Sequence, residues 1–244
     1  MQQSRRDIAP SRIADNRNEH RTAPATARSI AGFDACVASI DVGGDRVRFV
    51  SVVDLERHVD RDALLRAEDP PEPPYWAHCW SGARVLAERV PRDAGRVLEV
   101  GCGLGLPGIV ASARGGQVVF SDRVAAPLAF VGASLDANAL HADLVVADVL
   151  DAPWRNTFDL VLAAEIVYDR ATFGALAAAL KASLAPGGRI LLADGHRIDT
   201  RGFYEAATAA GLTWTTEDVR VEEEGFPVTI TLVTMRPVRE SPGA

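Results

Sequence analysis

A glycine-rich segment that starts at Gly101 is the first feature of the sequence with an evident chemical use. Gly101, Gly103 and Gly105 alternate with other residues, after a short apolar run and before a helical pattern. Glycines at such a turn let the backbone bend tightly and approach a ligand closely. Pro107 suits the first turn of the following helix, whose start directs free N–H groups at the ligand. The segment predicts a ligand-binding loop, with a purely structural strand-to-helix turn as the alternative.

Acidic residues stand at the ends of several apolar runs. Glu99 precedes Gly101 by two residues, and Asp122 ends the next apolar run, 21 residues after Gly101. A carboxylate there can accept hydrogen bonds from both hydroxyls of a ribose. Asp148 follows the third run, where it can accept from an adenine amino group or cap a turn. Glu165 follows the fourth run, at the place where open α/β sheets present substrate-handling groups.

The spacing of the loop separates two kinds of nucleotide ligand. The dinucleotide fingerprint requires Gly or Ala at its sixth position, which is Leu106 here. A pyrophosphate needs an open helix N-terminus, whereas a cationic sulfonium with an amino group gains from the nearby acid Glu99. The pattern therefore favours S-adenosylmethionine, with NAD or FAD as the alternative.

Hydrophobic periodicity predicts the elements that position these residues. Near-continuous apolar runs indicate strands buried on both faces, and helical stretches alternate with them. Two further runs, 212–220 and 226–235, are joined by a Glu-rich turn and should pair antiparallel. The pattern predicts a doubly wound, mostly parallel seven-stranded α/β sheet, in which ligands bind beyond the carboxyl ends of the strands. The other expected strands are 97–101, 118–122, 143–147, 159–164 and 188–193, and the expected helices are 106–114, 125–139, 170–184 and 200–210.

The sequence pattern before residue 75 predicts a β-hairpin that is separate from the α/β domain. Residues 35–42 and 47–53 alternate about a Gly43-Gly44-Asp45 turn, which is typical of a β-hairpin. A proline cluster at 70–74 breaks helix and strand alike and marks a boundary. We therefore divide the chain into a disordered tail over 1–31, a hairpin and linker over 32–74, and the α/β domain over 75–238.

Composition and charge argue against several classes of function. The 244 residues include 33 acidic and 26 basic side chains, and the net charge of −7 argues against nucleic acid as the main partner. No run approaches the roughly 18 consecutive apolar residues of a membrane span. The three cysteines lie far apart without metal-ligand spacing, so we expect no disulfide, no metal site and a reducing, cytoplasmic compartment. The pattern does not predict an oligomeric state.

Residues 75–198 resemble the class I, seven-strand S-adenosylmethionine-dependent methyltransferases, which have a Rossmann-like fold. The Glu-x-Gly-x-Gly loop, Asp122, Asp148 and the strand-four acid Glu165 carry this resemblance. It implies that S-adenosylmethionine is the methyl donor, that Asp122 holds its ribose, and that Asp148 frames its adenine. The full set of donor-binding residues that the resemblance implies is Trp80, Glu99, Gly101, Gly103, Gly105, Asp122, Asp148, Trp154 and Ala164.

A narrower resemblance concerns the methyl acceptor. Pro74-Tyr75-Trp76 with Trp80, then Trp154 and Glu165-x-x-Tyr168, resemble the protein-lysine methyltransferases with an Asp/Glu-x-x-Tyr/Phe motif. Among these, the chain looks most like the lysine methyltransferases of the electron-transfer flavoprotein β-subunit, which carry a glycine–arginine turn similar to Asp194-Gly195-His196-Arg197 here. The resemblance implies that Glu165 and Tyr168 face the acceptor, with His78 and His196 as candidate pocket groups.

Three functions remain open at this point. A protein lysine is the favoured acceptor, a small molecule of a biosynthetic pathway is the alternative, and a non-catalytic binding protein with the same fold is the third possibility. The Asn/Asp-Pro-Pro-Tyr element of methyltransferases that act on base or amide nitrogens is replaced by Glu-Ile-Val-Tyr, which argues against DNA or RNA substrates. Residues 1–34 have no counterpart in the resemblance. Asp169 is expected to cap the helix that begins near Arg170.

Overall fold

The computed structural model describes residues 28–59, 72–151, 154–223 and 225–238. The predicted disordered tail falls mostly on residues 1–27, and most of the predicted linker falls on 60–71. Both of these stretches lie outside the described residues. Within the described ranges, none of the helices has the length and apolar character needed to cross a membrane.

An antiparallel three-stranded sheet opens the described chain, with β1 (Arg28–Ile30), β2 (Phe33–Val42) and β3 (Asp45–Val52). β2 and β3 form the predicted hairpin. β1 was not predicted, since we expected order to begin near residue 32. It pairs with β2 across Ala31 and Gly32, whose φ values of 50° and 85° make a two-residue hairpin turn. An alanine seldom adopts such a conformation, so the turn left little signal in the sequence.

A seven-stranded sheet forms the centre of the protein. Its strands are β4 (Arg96–Val100), β5 (Gln117–Asp122), β6 (Asp143–Val146), β7 (Phe158–Ala164), β8 (Leu184–Asp194), β9 (Leu212–Glu223) and β10 (Phe226–Pro237). They lie in the order β6-β5-β4-β7-β8-β10-β9. Neighbours from β6 to β8 are parallel, and β10 pairs antiparallel with both β8 and β9. The predicted doubly wound, mostly parallel sheet with an antiparallel C-terminal pair is confirmed.

In the part of the chain that the structure describes, five α-helices cover the two faces of this sheet: α1 (Ser81–Arg89), α2 (Leu106–Ala113), α3 (Ala125–Ala137), α4 (Phe173–Ser183) and α5 (Arg201–Ala209). The first three contribute to one hydrophobic cluster, which includes Phe130, and the last two to another, which includes Phe203. Successive residues of β4 alternate between the clusters, because Val97 belongs to the first and Leu98 to the second. Burial on both faces explains why the parallel strands appear in the sequence as continuous apolar runs.

The start of β8 departs from the predicted bounds. The sequence predicted a helix over 170–184 and a strand over 188–193, with Pro186 and Gly187 between them. In the structure, Leu184 already pairs with Phe158, the register then shifts, and pairing resumes between Arg189 and Leu160. Pro186-Gly187-Gly188 therefore forms an irregularity within the strand. Such residues can end a helix, but a bulge in a strand accommodates them as well.

An aromatic cluster joins the N-terminal sheet to the α/β domain. The ring of Phe33 in β2 lies 5.0 Å from that of Trp76 and 6.5 Å from that of Phe130 in α3. Trp76 and Phe130 are 5.7 Å apart. A second link comes from the buried Arg114, whose Nε donates to Asp45 Oδ2 at 2.6 Å. These contacts fix the position of Trp76, which borders the cavity described below.

We expect Phe130→Ala to lower the free energy of unfolding by about 3–5 kcal/mol, the usual cost of emptying a buried phenylalanine site. Phe130 is fully buried, and its ring packs against those of Phe33 and Trp76. Denaturant unfolding followed by circular dichroism measures the change. Phe226→Ala is the control, since Phe226 is 72% exposed and should cost less than about 0.5 kcal/mol. Similar costs for the two substitutions would contradict the role given to the cluster.

Candidate functional site

A cavity of about 910 Å³ opens at the carboxyl ends of the parallel strands. β4 lies at the switch point of the sheet, because its neighbours are β5 on one side and β7 on the other. Open α/β sheets bind ligands at this place. Ten of the residues singled out in the sequence line the cavity: His78, Trp80, Gly101, Gly103, Gly105, Asp122, Asp148, Ala164, Glu165 and Tyr168.

The glycine loop forms one wall of this cavity. Gly101, Gly103 and Gly105 have φ values of 55°, 51° and 74°, a region that glycine adopts without steric cost. Space is restricted as well, because a Cβ on Gly103 would lie 3.1 Å from the carbonyl oxygen of Trp76. A Cβ on Gly105 would lie 2.7 Å from Val131 Cγ2. Glycine is therefore required at these positions for two reasons: the positive φ of the backbone and the lack of space for a side chain.

Asp122 ties the glycine loop to the end of β5. Its Oδ2 accepts from the N–H of Gly103 and its Oδ1 from the N–H of Val124, each at 3.0 Å. Burial raises the pKa of Asp122, and the two N–H donors oppose that shift. Each carboxylate oxygen keeps a lone pair for a further donor. A hydroxyl group of a ligand in the cavity can therefore still bind to Asp122.

Asp148 combines the two roles that the sequence left open. Its Oδ1 accepts from the N–H of Leu150 at 2.9 Å, so it caps a turn, and the residue also lines the cavity. The preceding residue, Ala147, donates its N–H to the carbonyl of Asp122 at 2.9 Å. This bond holds the ends of β5 and β6 together and places both acids at one edge of the cavity.

Glu99 lies beneath the glycine loop and outside the cavity lining. Its Oε2 accepts from the N–H of Gly108, in the first turn of α2, at 2.8 Å. The side chain is buried, and burial raises the pKa of Glu99 to about 8. Glu99 was expected among the donor-binding residues. In the structure it lies outside the cavity lining and holds the first turn of α2.

Glu165 lines the cavity at the end of β7. Its N–H donates to the carbonyl of Ala193 at 2.9 Å, and its φ of 57° turns the chain out of the strand. The side chain is 6% exposed. Gly82 and Gly195 leave room for it, because a Cβ on either would lie 2.5 Å from a carboxylate oxygen. Burial raises the pKa of Glu165, and the nearby Arg197 opposes that shift.

Arg197 is a cavity residue that the sequence did not assign to the site. Its Nε lies 3.4 Å from Glu165 Oε2 and its Nη2 lies 2.9 Å from Glu223 Oε2. Its guanidinium carbon lies 4.7 Å from the centre of the Trp80 ring, which His78 contacts edge-on at 4.4 Å. The signal that could have found Arg197 is its place in the turn over 194–197, part of the family resemblance.

The exposed rim of the cavity carries Tyr168 and a pair of opposite charges. Tyr168 is 54% exposed, and burial of the rest of the side chain raises its pKa. Arg123 donates to the carboxylate of Glu72, a contact that sequence reasoning missed because 51 residues separate the two. Asp169 accepts from the N–H of Ala171 at 2.9 Å, so the predicted cap is confirmed.

Two residues expected in the pocket lie outside the cavity lining. Trp154 packs edge-on against Phe158 with 6.0 Å between the ring centres, next to the second core cluster. His196 Nε2 lies 2.7 Å from Thr231 Oγ1, and its backbone N–H donates to Asp194 at 2.8 Å. In both cases a partner within the protein holds the ring. Whether such a side chain packs against a partner or faces the cavity depends on elements far away in the sequence.

The described lining of the cavity is acidic overall. Five carboxylate side chains face two guanidinium groups: Glu72, Asp122, Asp148, Glu165 and Asp169 against Arg123 and Arg197. A cleft dominated by one sign of charge concentrates ligands of the opposite sign. The cavity therefore suits a cationic ligand better than a pyrophosphate.

A family model described as lysine methyltransferase matches residues 77–208. The chain belongs to the lysine methyltransferase family. The matched region contains the glycine loop, Asp122, Glu165 and Arg197, which are the residues that the structure brings together. The resemblance seen in the sequence is thereby confirmed.

Two curated relatives show the extent of this similarity. Protein N-lysine methyltransferase METTL21A of Danio rerio is 33% identical over 126 residues, which cover 46% of this chain and 57% of that protein. The electron transfer flavoprotein beta subunit lysine methyltransferase of Danio rerio is 31% identical over 105 residues, which cover 40% of each chain. The chain spans about half the length of the curated relatives it matches.

Among solved structures, the cyclase SpnF resembles this lysine methyltransferase family member with a TM-score of 0.55 at 18% identity. The likeness covers 64% of this chain and 80% of that one. It shows the fold alone, since one fold hosts many unrelated reactions. The reaction that this family member catalyses therefore depends on the residues of its site.

The buried Glu99 of this lysine methyltransferase family member should make its stability fall as pH rises. Burial raises the pKa of Glu99 from an ordinary 4.5 to about 8, so the folded state holds the proton more tightly. The stabilisation is complete below the unfolded pKa and is lost as pH rises through the folded pKa. We expect Glu99→Gln to flatten the decline in the free energy of unfolding between about pH 5 and pH 9, measured by urea denaturation.

Glu222→Gln is the control for this measurement, because Glu222 is exposed on β9. Its pH profile should follow that of the parent protein. A decline of the same steepness in the Glu99→Gln variant would show that the buried carboxyl is not the source.

Proposed function

We propose that this chain is an S-adenosylmethionine-dependent methyltransferase that methylates the side-chain nitrogen of a protein lysine. The observation that carries the proposal is a single acidic cavity with two halves. One half holds the glycine loop with Asp122, and the other holds the buried carboxylate of Glu165. The first half suits a donor that contains a nucleoside, and the second suits a cationic acceptor.

The donor half has groups that match the parts of S-adenosylmethionine. Gly101, Gly103 and Gly105 let the backbone approach the methionine part, and the free lone pairs of Asp122 can accept from the ribose hydroxyls. Asp148 lies at the next strand end, within the same cavity, for the adenine amino group. The cavity volume of about 910 Å³ is ample for a ligand of this size. Trp80 and Ala164 complete the lining, while Glu99 supports the loop from below.

The acceptor half matches a primary amine. When bound, S-adenosylmethionine supplies an electrophilic methyl group, whose bond to sulfur breaks with both electrons left on sulfur as the amine nitrogen forms the new C–N bond. The nitrogen needs a free lone pair when it attacks, so Glu165 would orient the incoming ammonium and accept one of its protons before the transfer. Burial raises the pKa of Glu165, which makes its carboxylate a better proton acceptor than an exposed one. Tyr168 stands at the rim that the acceptor would pass.

Several observations favour a protein acceptor over other partners. The relatives are named as lysine methyltransferases of proteins. The net charge of −7 and the acidic cavity disfavour nucleic acid. A cytoplasmic, reducing setting belongs to the proposal and is supported by the wide spacing of the three cysteines in the sequence. A small-molecule acceptor is the alternative that the following experiment decides.

Incubation of the protein with S-adenosylmethionine labelled in the methyl group and a cell lysate tests the proposal. We expect label in the protein fraction, located on a lysine by mass spectrometry. Label confined to the low-mass fraction would replace the protein acceptor with a small molecule. Absence of label from both fractions, with a protein that binds the donor, would contradict the methyltransferase proposal.

Asp122→Ala should weaken binding of S-adenosylmethionine by roughly 1–3 kcal/mol, because ligand hydroxyls and the N–H of Gly103 would lose their acceptor. Titration calorimetry on the folded variant measures the change. Unchanged affinity would remove Asp122 from the donor site. If the parent protein bound NAD more tightly than S-adenosylmethionine, the assignment of the donor would be wrong.

Glu165→Gln should lower turnover by about 10²–10⁴-fold, the usual range for a positioned acid–base group. The amide keeps the shape of the side chain and loses the charge that orients an ammonium. Donor affinity should change little, because Asp122 and the glycine loop carry that binding. The assay uses the acceptor that the lysate experiment identifies.

Asp169→Asn is the matched control, four residues further along the chain. Asp169 caps a helical turn through Ala171, and asparagine preserves that cap. Its turnover should stay near that of the parent. Equal turnover in folded Glu165→Gln and parent proteins would leave Glu165 with a structural role only.

A further inference from the structure

The guanidinium of Arg197 lies among three groups that together recognise a cation. Its Nε is 3.4 Å from Glu165 Oε2, its Nη2 is 2.9 Å from Glu223 Oε2, and its central carbon is 4.7 Å from the ring centre of Trp80. Two carboxylates and an aromatic face also bind an alkylammonium, through charge-assisted hydrogen bonds and a cation–π contact. We call Trp80, Glu165 and Glu223 the cation slot.

The cation slot lies between two cavities. A second cavity of about 520 Å³ adjoins the first, and its lining includes Tyr75, Trp80, Arg197, Glu223 and Phe226. Trp80 and Arg197 line both cavities, whereas Glu165 lines only the first and Glu223 only the second. A side chain that enters through the second cavity therefore meets Arg197 before it reaches Glu165.

Arg197 satisfies Glu165 incompletely. The Glu165 side chain is 6% exposed, and among the described residues its Oε1 has no hydrogen-bond partner. A buried carboxylate oxygen without a donor is costly, and a primary ammonium offers three donors from a compact centre. Arg197 itself is 37% exposed, so its long side chain has room to leave the slot for solvent.

We infer that Arg197 is an internal occupant of the site for the acceptor's cation, and that an incoming lysine ammonium displaces it. The ammonium would enter through the second cavity and pair with Glu165 and Glu223 beside the ring of Trp80. This inference rests on the proposed function and adds to it two residues, Arg197 and Glu223, that set which acceptors bind. The slot would therefore accept a positively charged group in place of the guanidinium and reject an uncharged one.

Titration with butylammonium chloride at constant ionic strength tests this inference, because the probe copies the end of a lysine side chain. Tryptophan fluorescence or the NMR signals of the indole groups report its binding. We expect Arg197→Ala to bind the probe about tenfold more tightly than the parent. This is the gain when the fraction of protein molecules whose slot is free of Arg197 rises from about a tenth to nearly all. Adding Glu223→Gln should abolish that gain, and uncharged 1-butanol should show none.

Arg89→Ala is the matched control. Arg89 also bridges to β9, through Glu217 at 2.7 Å, and is 38% exposed, but it lines neither cavity. Its affinity for butylammonium should equal that of the parent. If Arg197→Ala does not fold, as judged by thermal unfolding, Arg197→Met keeps the length of the side chain and should give the same gain.

Equal or weaker binding of butylammonium by a folded Arg197 variant would overturn the inference and make Arg197 a support for Glu165. Titration with S-adenosylhomocysteine separates this failure from that of the proposed function. A parent protein that binds S-adenosylhomocysteine while Arg197→Ala shows no gain rejects the internal occupant alone. A parent that does not bind S-adenosylhomocysteine, together with an Arg197→Ala variant that shows no gain for butylammonium, rejects both.

Discussion

The close approach of the glycine loop to the core is the constraint on which the site depends. A Cβ on Gly103 or Gly105 would lie 3.1 Å or 2.7 Å from its nearest neighbour, so side chains are excluded at these positions. Buried carboxylates hold one N–H group of the loop and one in the first turn of α2. Glu99 accepts from Gly108 below the loop, and Asp122 accepts from Gly103 at the neighbouring strand end. The loop also passes close to the backbone of Trp76, since a Cβ on Gly103 would lie 3.1 Å from its carbonyl oxygen, and the ring of Trp76 packs against Phe33 of the N-terminal sheet.

The acceptor half depends on the electrostatics of one buried carboxylate. A charge at Glu165 needs a partner, because burial without one is unfavourable. Arg197 provides that partner from the turn after β8, and Glu223 holds Arg197 in turn from the end of β9. The protein thus carries a cation of its own at the place where the proposed acceptor would bring one.

The proposed donor and acceptor regions draw on different parts of the chain. The proposed donor half is built on β4, β5 and β6, within the family match over 77–208. The second cavity, through which the acceptor would enter, is lined by Glu223 and Phe226, which lie beyond that match on β9 and β10. Recognition groups on peripheral elements can change while a central scaffold stays the same. Recognition of the proposed acceptor by this chain would therefore depend in part on elements outside the region that matches the family.

The sequence by itself determined the parallel sheet and pointed to most residues of the proposed donor half, because both depend on local signals. Apolar runs, the spacing of Gly101, Gly103 and Gly105, and the acid at the end of β5 each involve neighbours in the chain. Only the tertiary structure decided where the rings of Trp154 and His196 lie, and it placed both against partners within the protein. It likewise brought Arg197 to Glu223, 26 residues away. The physical reason is that the position of each of these side chains is set by the partners that tertiary packing brings within contact distance. That packing depends on elements distant in sequence.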